Sequence, residues 1–117
     1  VPGSGLVEIP VTTALLGKRR LAAGGGGFFR VLPYSFTRWA IRQVNSDHRP
    51  AVFYFHPWEV DPDQPRVSNA SVRSRLRHYT NLSRMTGKLS DLLGDFAWGR
   101  MDEVAAKERS RSVKWAA

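Results

Sequence analysis

The stretch AVFYFHPWEVDPDQPR, residues 51–66, gathers one imidazole (His56), one indole (Trp58) and three carboxylates (Glu59, Asp61, Asp63). Residues 51–55 are apolar, rich in β-branched and aromatic types, and preceded by Asn45, Ser46, Asp47 and Pro50. This pattern predicts a strand buried on both faces. Pro57, Pro62 and Pro65 have no N–H to give a ladder, so the backbone must leave the sheet at or just after His56. Catalytic side chains of α/β sheets gather at the carboxyl ends of strands, which makes His56 the first candidate, with Trp58 and Glu59 beside it.

Other chemistries are poorly served. There is no cysteine, which removes disulfides, thiolate metal sites and cysteine nucleophiles together. His48, His56 and His78 show no HxxxH or HExxH spacing, and Asp61 and Asp63 read as a solvated turn that would hold a cation only loosely. No GxSxG elbow surrounds Ser35, Ser68 or Ser71. The glycine run from Gly24 to Gly27 could form an anion-binding nest, yet it lacks the GxxxxGK[ST] pattern and a downstream acid at dinucleotide-binding spacing.

The elements that would position these groups follow from periodicity. Residues 6–13, LVEIPVTT, predict a strand that Pro10 confines to an edge or a bulge. Gly17 and the basic triplet after it predict a surface loop. Across residues 28–44 the apolar side chains recur at three- and four-residue steps, which predicts a short helical turn and then a helix from about Pro33 to Val44. Strand, helix, strand is a βαβ unit with a parallel crossover. Residues 71–96 predict one long helix or two, with Ser68 or Asn69 as cap, a weak point at Gly87 and a stop at Gly94. Residues 97–104 read as a short final strand or extended segment. Residues 105–117 read as a charged tail that could be a frayed helix, and residues 1–5 as a linker.

The 117 residues amount to one domain or part of one, far short of the roughly 250 of a complete parallel barrel. No apolar run approaches the ~20 residues of a membrane span, and none is expected. The first residues carry no signal-peptide features, so localisation is not legible there. A net charge of +8, from 18 Lys plus Arg against 10 Asp plus Glu, favours phosphates, anionic polysaccharide or anionic surfaces as partners. The basic residues are nevertheless spread along the chain. Arg73, Arg75 and Arg77 stand at alternate positions, so no single helix face collects them, and a solvated helix rather than a nucleic-acid site is expected. Two or three strands and two helices would leave unpaired sheet edges, from which missing strands are inferred.

GLVEIPVTT, GGGGFFRVLPYSFTRWAIRQVN, RPAVFYFHPWEVDPDQPR and RHYTNLSRMTGKLSDLLGDFAWGRMDEV together resemble the C-terminal third of bacterial polysaccharide deacetylases of the NodB-homology superfamily, in the subgroup associated with exopolysaccharide and exosortase gene clusters. HPWE followed by DPDQPR is the most specific part of the resemblance.

The resemblance implies an α/β fold, the C-terminal portion of a distorted (β/α) barrel that is incomplete in this chain. It also implies a metal-dependent hydrolase acting on acetylated polysaccharide in exopolysaccharide metabolism, in a bacterial cytoplasm or cell envelope. The divalent metal, with zinc the first expectation, would be held in the parent enzyme by ligands outside this chain, as would the general base. The missing N-terminal barrel strands would come from the same polypeptide or a partner chain, and the isolated chain is expected to be inactive and to bind no metal tightly.

His56 matches the family's general acid, a role an imidazole fills well because its ordinary pKa of about 6.5 lets it deliver a proton at neutral pH. The family pattern has Asp after this His, and Pro57 stands here instead. Glu59 is then a candidate orienting carboxylate, or else a surface charge or a partner for Arg66. In the deacetylase reading Gly26, Gly27 and Phe28 would line the sugar groove, with Phe28 or Trp58 offering an apolar face. In the plainer reading the glycines permit a tight approach to the helix and both aromatics are core. The alternative to an enzyme is a basic, non-enzymatic module that binds nucleic acid or anionic glycan.

Overall fold

Gly17 and Lys18 join two short antiparallel strands, β1 (Thr13–Leu16) and β2 (Arg19–Ala22), in a computed structural model that describes residues 8–115. Gly17 has φ +60°, the positive value that the first position of a tight two-residue turn requires. The expected surface loop is therefore a hairpin, with Arg19 and Arg20 inside its second strand. The strand expected over residues 6–13 is displaced as well. Leu6 and Val7 lie outside the described residues, and the ladder begins only at Thr13, past the proline that cannot donate to it.

Residues 51–55 are extended, but they form a single bridged position rather than a buried strand. Tyr54 N–H donates to Gly24 O at 2.8 Å and Gly26 N–H to Tyr54 O at 3.0 Å, making a parallel bridge between Gly25 and Tyr54. Val52 N–H donates to Thr12 Oγ1 at 2.6 Å. Val52 and Tyr54 thus bond on one side. Ala51, Phe53 and Phe55 turn their backbone groups to the other edge, where they find no partner among the described residues. With one edge bare, Tyr54 stays 48% exposed and the expectation of burial on both faces fails. The parallel sense of the bridge agrees with the expected crossover. Gly24 is needed there, since a Cβ would lie 2.3 Å from Val52 O and 3.0 Å from Thr12 Cβ, where three backbone segments meet.

The crossover consists of α1 (Gly26–Val31) and α2 (Tyr34–Ser46), close to the predicted spans, with Pro33 in the capping position just before α2. On α2 the buried residues Thr37, Ala40, Ile41 and Val44 form one helical stripe. Ala40 packs with Ala14 and Ala23 of the hairpin region. Ile41 joins Phe29 of α1 and Met85, Leu89 and Leu92 of α4 (Leu82–Asp95) in the main core, which Phe53 and Val60 border. Phe53 meets the Phe29 ring edge-on at 5.0 Å.

The region 71–96 is two helices, α3 (Val72–Tyr79) and α4, and they divide at Thr80 and Asn81 rather than at Gly87. Asn81 adopts a left-handed φ of +56°, which asparagine tolerates better than most residues. Ser71, not Ser68 or Asn69, caps α3 by accepting from Ser74 N–H at 3.2 Å. The buried apolar stripe of this region lies in α4 alone, because Val72 and Leu76 are exposed and α3 buries no residue.

In place of the strand expected over residues 97–104, the chain turns into α5 (Met101–Trp115), which takes in most of the charged tail. Asp102 and Glu103 in its first turn complement the helix dipole. The fold is mixed α/β, mainly helical, with a two-stranded sheet. Among the described residues no helix is long and apolar enough to cross a membrane.

One tie between helices is pH-dependent. Tyr34 Oη donates to Asp95 Oδ2 at 2.6 Å, and Arg38 Nε lies 3.0 Å from the same oxygen. Burial, followed by this hydrogen bond, pushes the Tyr34 phenol up to about 12. The unfolded chain ionises at the ordinary 10.0, so the contribution is complete below that pH and is lost as pH rises toward 12. A phenolate absorbance titration is expected to show one tyrosine with a midpoint near 12 that disappears in Tyr34→Phe. Three tyrosines titrating together at their ordinary value would show that the tie does not form.

Candidate functional site

Three segments enclose a cleft of about 700 Å³: the start of α1, residues 54–59, and the inward side of α3. Its position follows from local chemistry. Pro57 ends any ladder, and residues Pro57–Val60 close a turn of 3-10 helix that points Glu59 inward. Glu59 is 1% exposed. Its Oε2 accepts from the backbone N–H of His56 at 2.9 Å, and its Oε1 accepts from Arg30 Nε at 3.0 Å.

Arg30, 3% exposed, is the hub of the site. Besides Glu59 it donates to three carbonyls at the end of α3: Nη1 to His78 O at 2.7 Å and Thr80 O at 3.1 Å, and Nη2 to Arg77 O at 3.3 Å. Those acceptors would otherwise be orphaned at a helix terminus. The end of α1 is held in the same way from α4. Lys88 Nζ donates to Phe29 O at 2.9 Å, Arg30 O at 3.1 Å and Leu32 O at 2.8 Å, while Asn81 Nδ2 donates to Arg30 O at 3.0 Å. Burial, and secondarily the charge of Arg84, lowers the Lys88 pKa. A buried pair survives desolvation only when its remaining polar groups are satisfied, and Arg30–Glu59 meets that condition.

His56 stands at the mouth of the cleft with its side chain 57% exposed and Nδ1 3.5 Å from Glu59 Oε2. Its ring lies 5.6 Å from Trp58, nearly parallel. Trp58 in turn stacks on His78 at 4.0 Å and 15°, with Arg30 Cζ 5.1 Å from its ring. Gln64 locks the loop by pairing with His78 Nε2 at 2.9 Å and donating to Trp58 O at 2.7 Å.

His56, Gly26, Gly27, Phe28, Trp58 and Glu59 therefore all border one cleft. Two expectations change. Glu59 pairs with Arg30 and not with Arg66, which instead sits 5.1 Å over the Tyr79 ring. Trp58 spends a ring face on His78, so the open aromatic faces of the cleft are Phe28, 57% exposed, and Tyr54. Arg30, His78, Tyr54 and Arg77 were not anticipated. The legible signal for Arg30 was a charge inside the apolar run FFRVL, where a solvated arginine has no room.

The two glycines differ sharply. A Cβ on Gly26 would lie 2.2 Å from Glu59 Oε2, whereas one on Gly27 would meet nothing within 4 Å. Gly26→Ala is expected to cost about 1–3 kcal/mol by displacing the carboxylate. Gly27→Ala is expected to be neutral or to stabilise by up to ~1 kcal/mol. Denaturant midpoints for the two variants check this, and equal effects would mean that Glu59 does not sit against Gly26.

Among the described residues, no group of three or more His, Cys, Asp or Glu side chains is placed to hold a metal ion. A family model for a domain of unknown function, DUF3473, matches residues 1–106. No curated protein and no solved structure matches the chain.

Proposed function

Since the chain belongs to the DUF3473 family, a domain known from polysaccharide deacetylase-associated proteins, we propose that it is the C-terminal part of a metal-dependent polysaccharide deacetylase with His56 as general acid. The observation that carries this reading is the position of His56. It is an accessible imidazole at the end of an extended segment, at the mouth of a cleft, with a buried carboxylate 3.5 Å from Nδ1.

Hydrolysis of an acetamide ends with a tetrahedral intermediate that collapses to acetate only when its nitrogen is protonated. His56 would give that proton from Nε2, the nitrogen turned away from Glu59. Glu59 acts as a positioning residue for the His56 ring, and Arg30 fixes Glu59 in place through their ion pair. The bare edge formed by Ala51, Phe53 and Phe55 runs into this site, which supports further barrel strands on that side, from the same polypeptide or a partner chain. The divalent metal and the base of such an enzyme would come from those strands.

Acetate release from acetylated oligosaccharides tests the reading. The 117-residue chain alone is expected to release none, and the chain joined to its upstream coding sequence and loaded with metal is expected to release it. Acetate from the chain alone would refute the division of the site. No acetate from the extended polypeptide, on N- or O-acetylated substrates, would refute the activity.

A further inference from the structure

Resting on the deacetylase reading of the cleft, we propose that the glycan it takes is acidic, a polysaccharide whose carboxylate groups are held by Arg77 beside the open faces of Phe28 and Tyr54. The α3 side of the cleft presents Ser74, Arg77 and His78. Arg77 is exposed, and its guanidinium makes no ion pair or hydrogen bond among the described residues. Glu59, among the described residues the one carboxylate lining the cleft, is buried and paired with Arg30, and Asp61 and Asp63 do not line it. The field inside the cleft is therefore positive.

The helix that carries Arg77 offers it no acidic partner. VRSRLRHY contains no acidic residue, Arg73 lies one turn before Arg77 where like charges repel, and a basic residue in the first turn opposes the helix dipole. An anion in the cleft removes that repulsion. A guanidinium takes a carboxylate through two parallel hydrogen bonds, and aromatic faces suit the C–H faces of sugar rings.

A nucleic acid fits less well. Its phosphates need a track of cations, whereas Arg75 turns away from the cleft to share a separate hollow with Arg66, and a single unpaired guanidinium lines the cleft.

Titration calorimetry on the 117-residue chain tests the proposal with three probes: an oligogalacturonate, a neutral N-acetylchito-oligosaccharide and a single-stranded oligonucleotide. The oligogalacturonate is expected to bind most tightly, with an affinity that falls as salt is raised. Arg77→Gln is expected to weaken it about 10- to 100-fold, while Arg75→Gln, which removes the same charge outside the cleft, leaves it unchanged. Both side chains are solvent-facing, and circular dichroism is the check that the variants fold.

Equal weakening by the two variants would reduce the effect to net charge and overturn the proposal. Tighter binding of the neutral oligosaccharide or of the oligonucleotide would overturn it too, as would no binding of the oligogalacturonate by the folded chain. Binding is read without turnover, so absence of acetate release counts against the deacetylase reading alone.

Discussion

Arg30→Met is expected to cost about 3–5 kcal/mol of folding stability, the usual consequence of leaving one half of a buried ion pair uncompensated. Glu59, at 1% exposure, loses its counter-ion, and three carbonyls at the end of α3 lose their donor in the same substitution. Against a total stability of about 5–15 kcal/mol for a domain of this kind, the loss brings the chain near the limit of folding. The measurement is a guanidinium midpoint with the slope checked for constancy. Arg30→Met combined with Glu59→Leu is expected to lose much less than the sum of the two single variants, because no buried charge then remains unpaired. A cost below about 1 kcal/mol for Arg30→Met would mean that solvent reaches Glu59 and that the pair does not organise the cleft.

The second large effect is catalytic. In a polypeptide that releases acetate, His56→Asn is expected to lower kcat about 10²- to 10⁴-fold with little change in KM, since the proton transfer occurs only in the transition state. It is also expected to abolish the basic limb of the pH–rate profile, which reports the proton donor. Stability is expected to move by no more than ~0.5 kcal/mol, because the side chain is 57% exposed. Glu59→Gln separates positioning from chemistry: the limb should persist, with a smaller loss in kcat. An activity within a few-fold of the parent for His56→Asn would dismiss His56 as the acid, whatever the cleft binds.

Much of the site was legible because its signals are short-range. Pro57 stops a ladder by lacking an N–H, and the 3.6-residue stripe of α2 requires only that one face be apolar. Legibility ended where partners lie far along the chain. The Gly17–Lys18 hairpin carries a turn signature, but only its pairing shows that Arg19 and Arg20 belong to a strand. Val72 and Leu76 fall on the α4 stripe by spacing, yet α3 is anchored by its carbonyls rather than by an apolar face, so the stripe there packs on nothing. The division at Asn81 is set by the demand that its Nδ2 reach Arg30 O, across 51 positions of sequence.

By itself, then, the sequence determined the helical crossover, the stop at or just after His56, and the gathering of His56, Trp58 and Glu59 at that stop, because each follows from backbone chemistry or periodicity within a few positions. Only the tertiary structure decided that Glu59 answers Arg30, that His78 covers Trp58, and that residues 51–55 keep one edge unpaired among the described residues. Those outcomes depend on which buried polar groups find partners, and a buried charge takes whichever partner the packing brings within hydrogen-bond reach, at any separation along the chain.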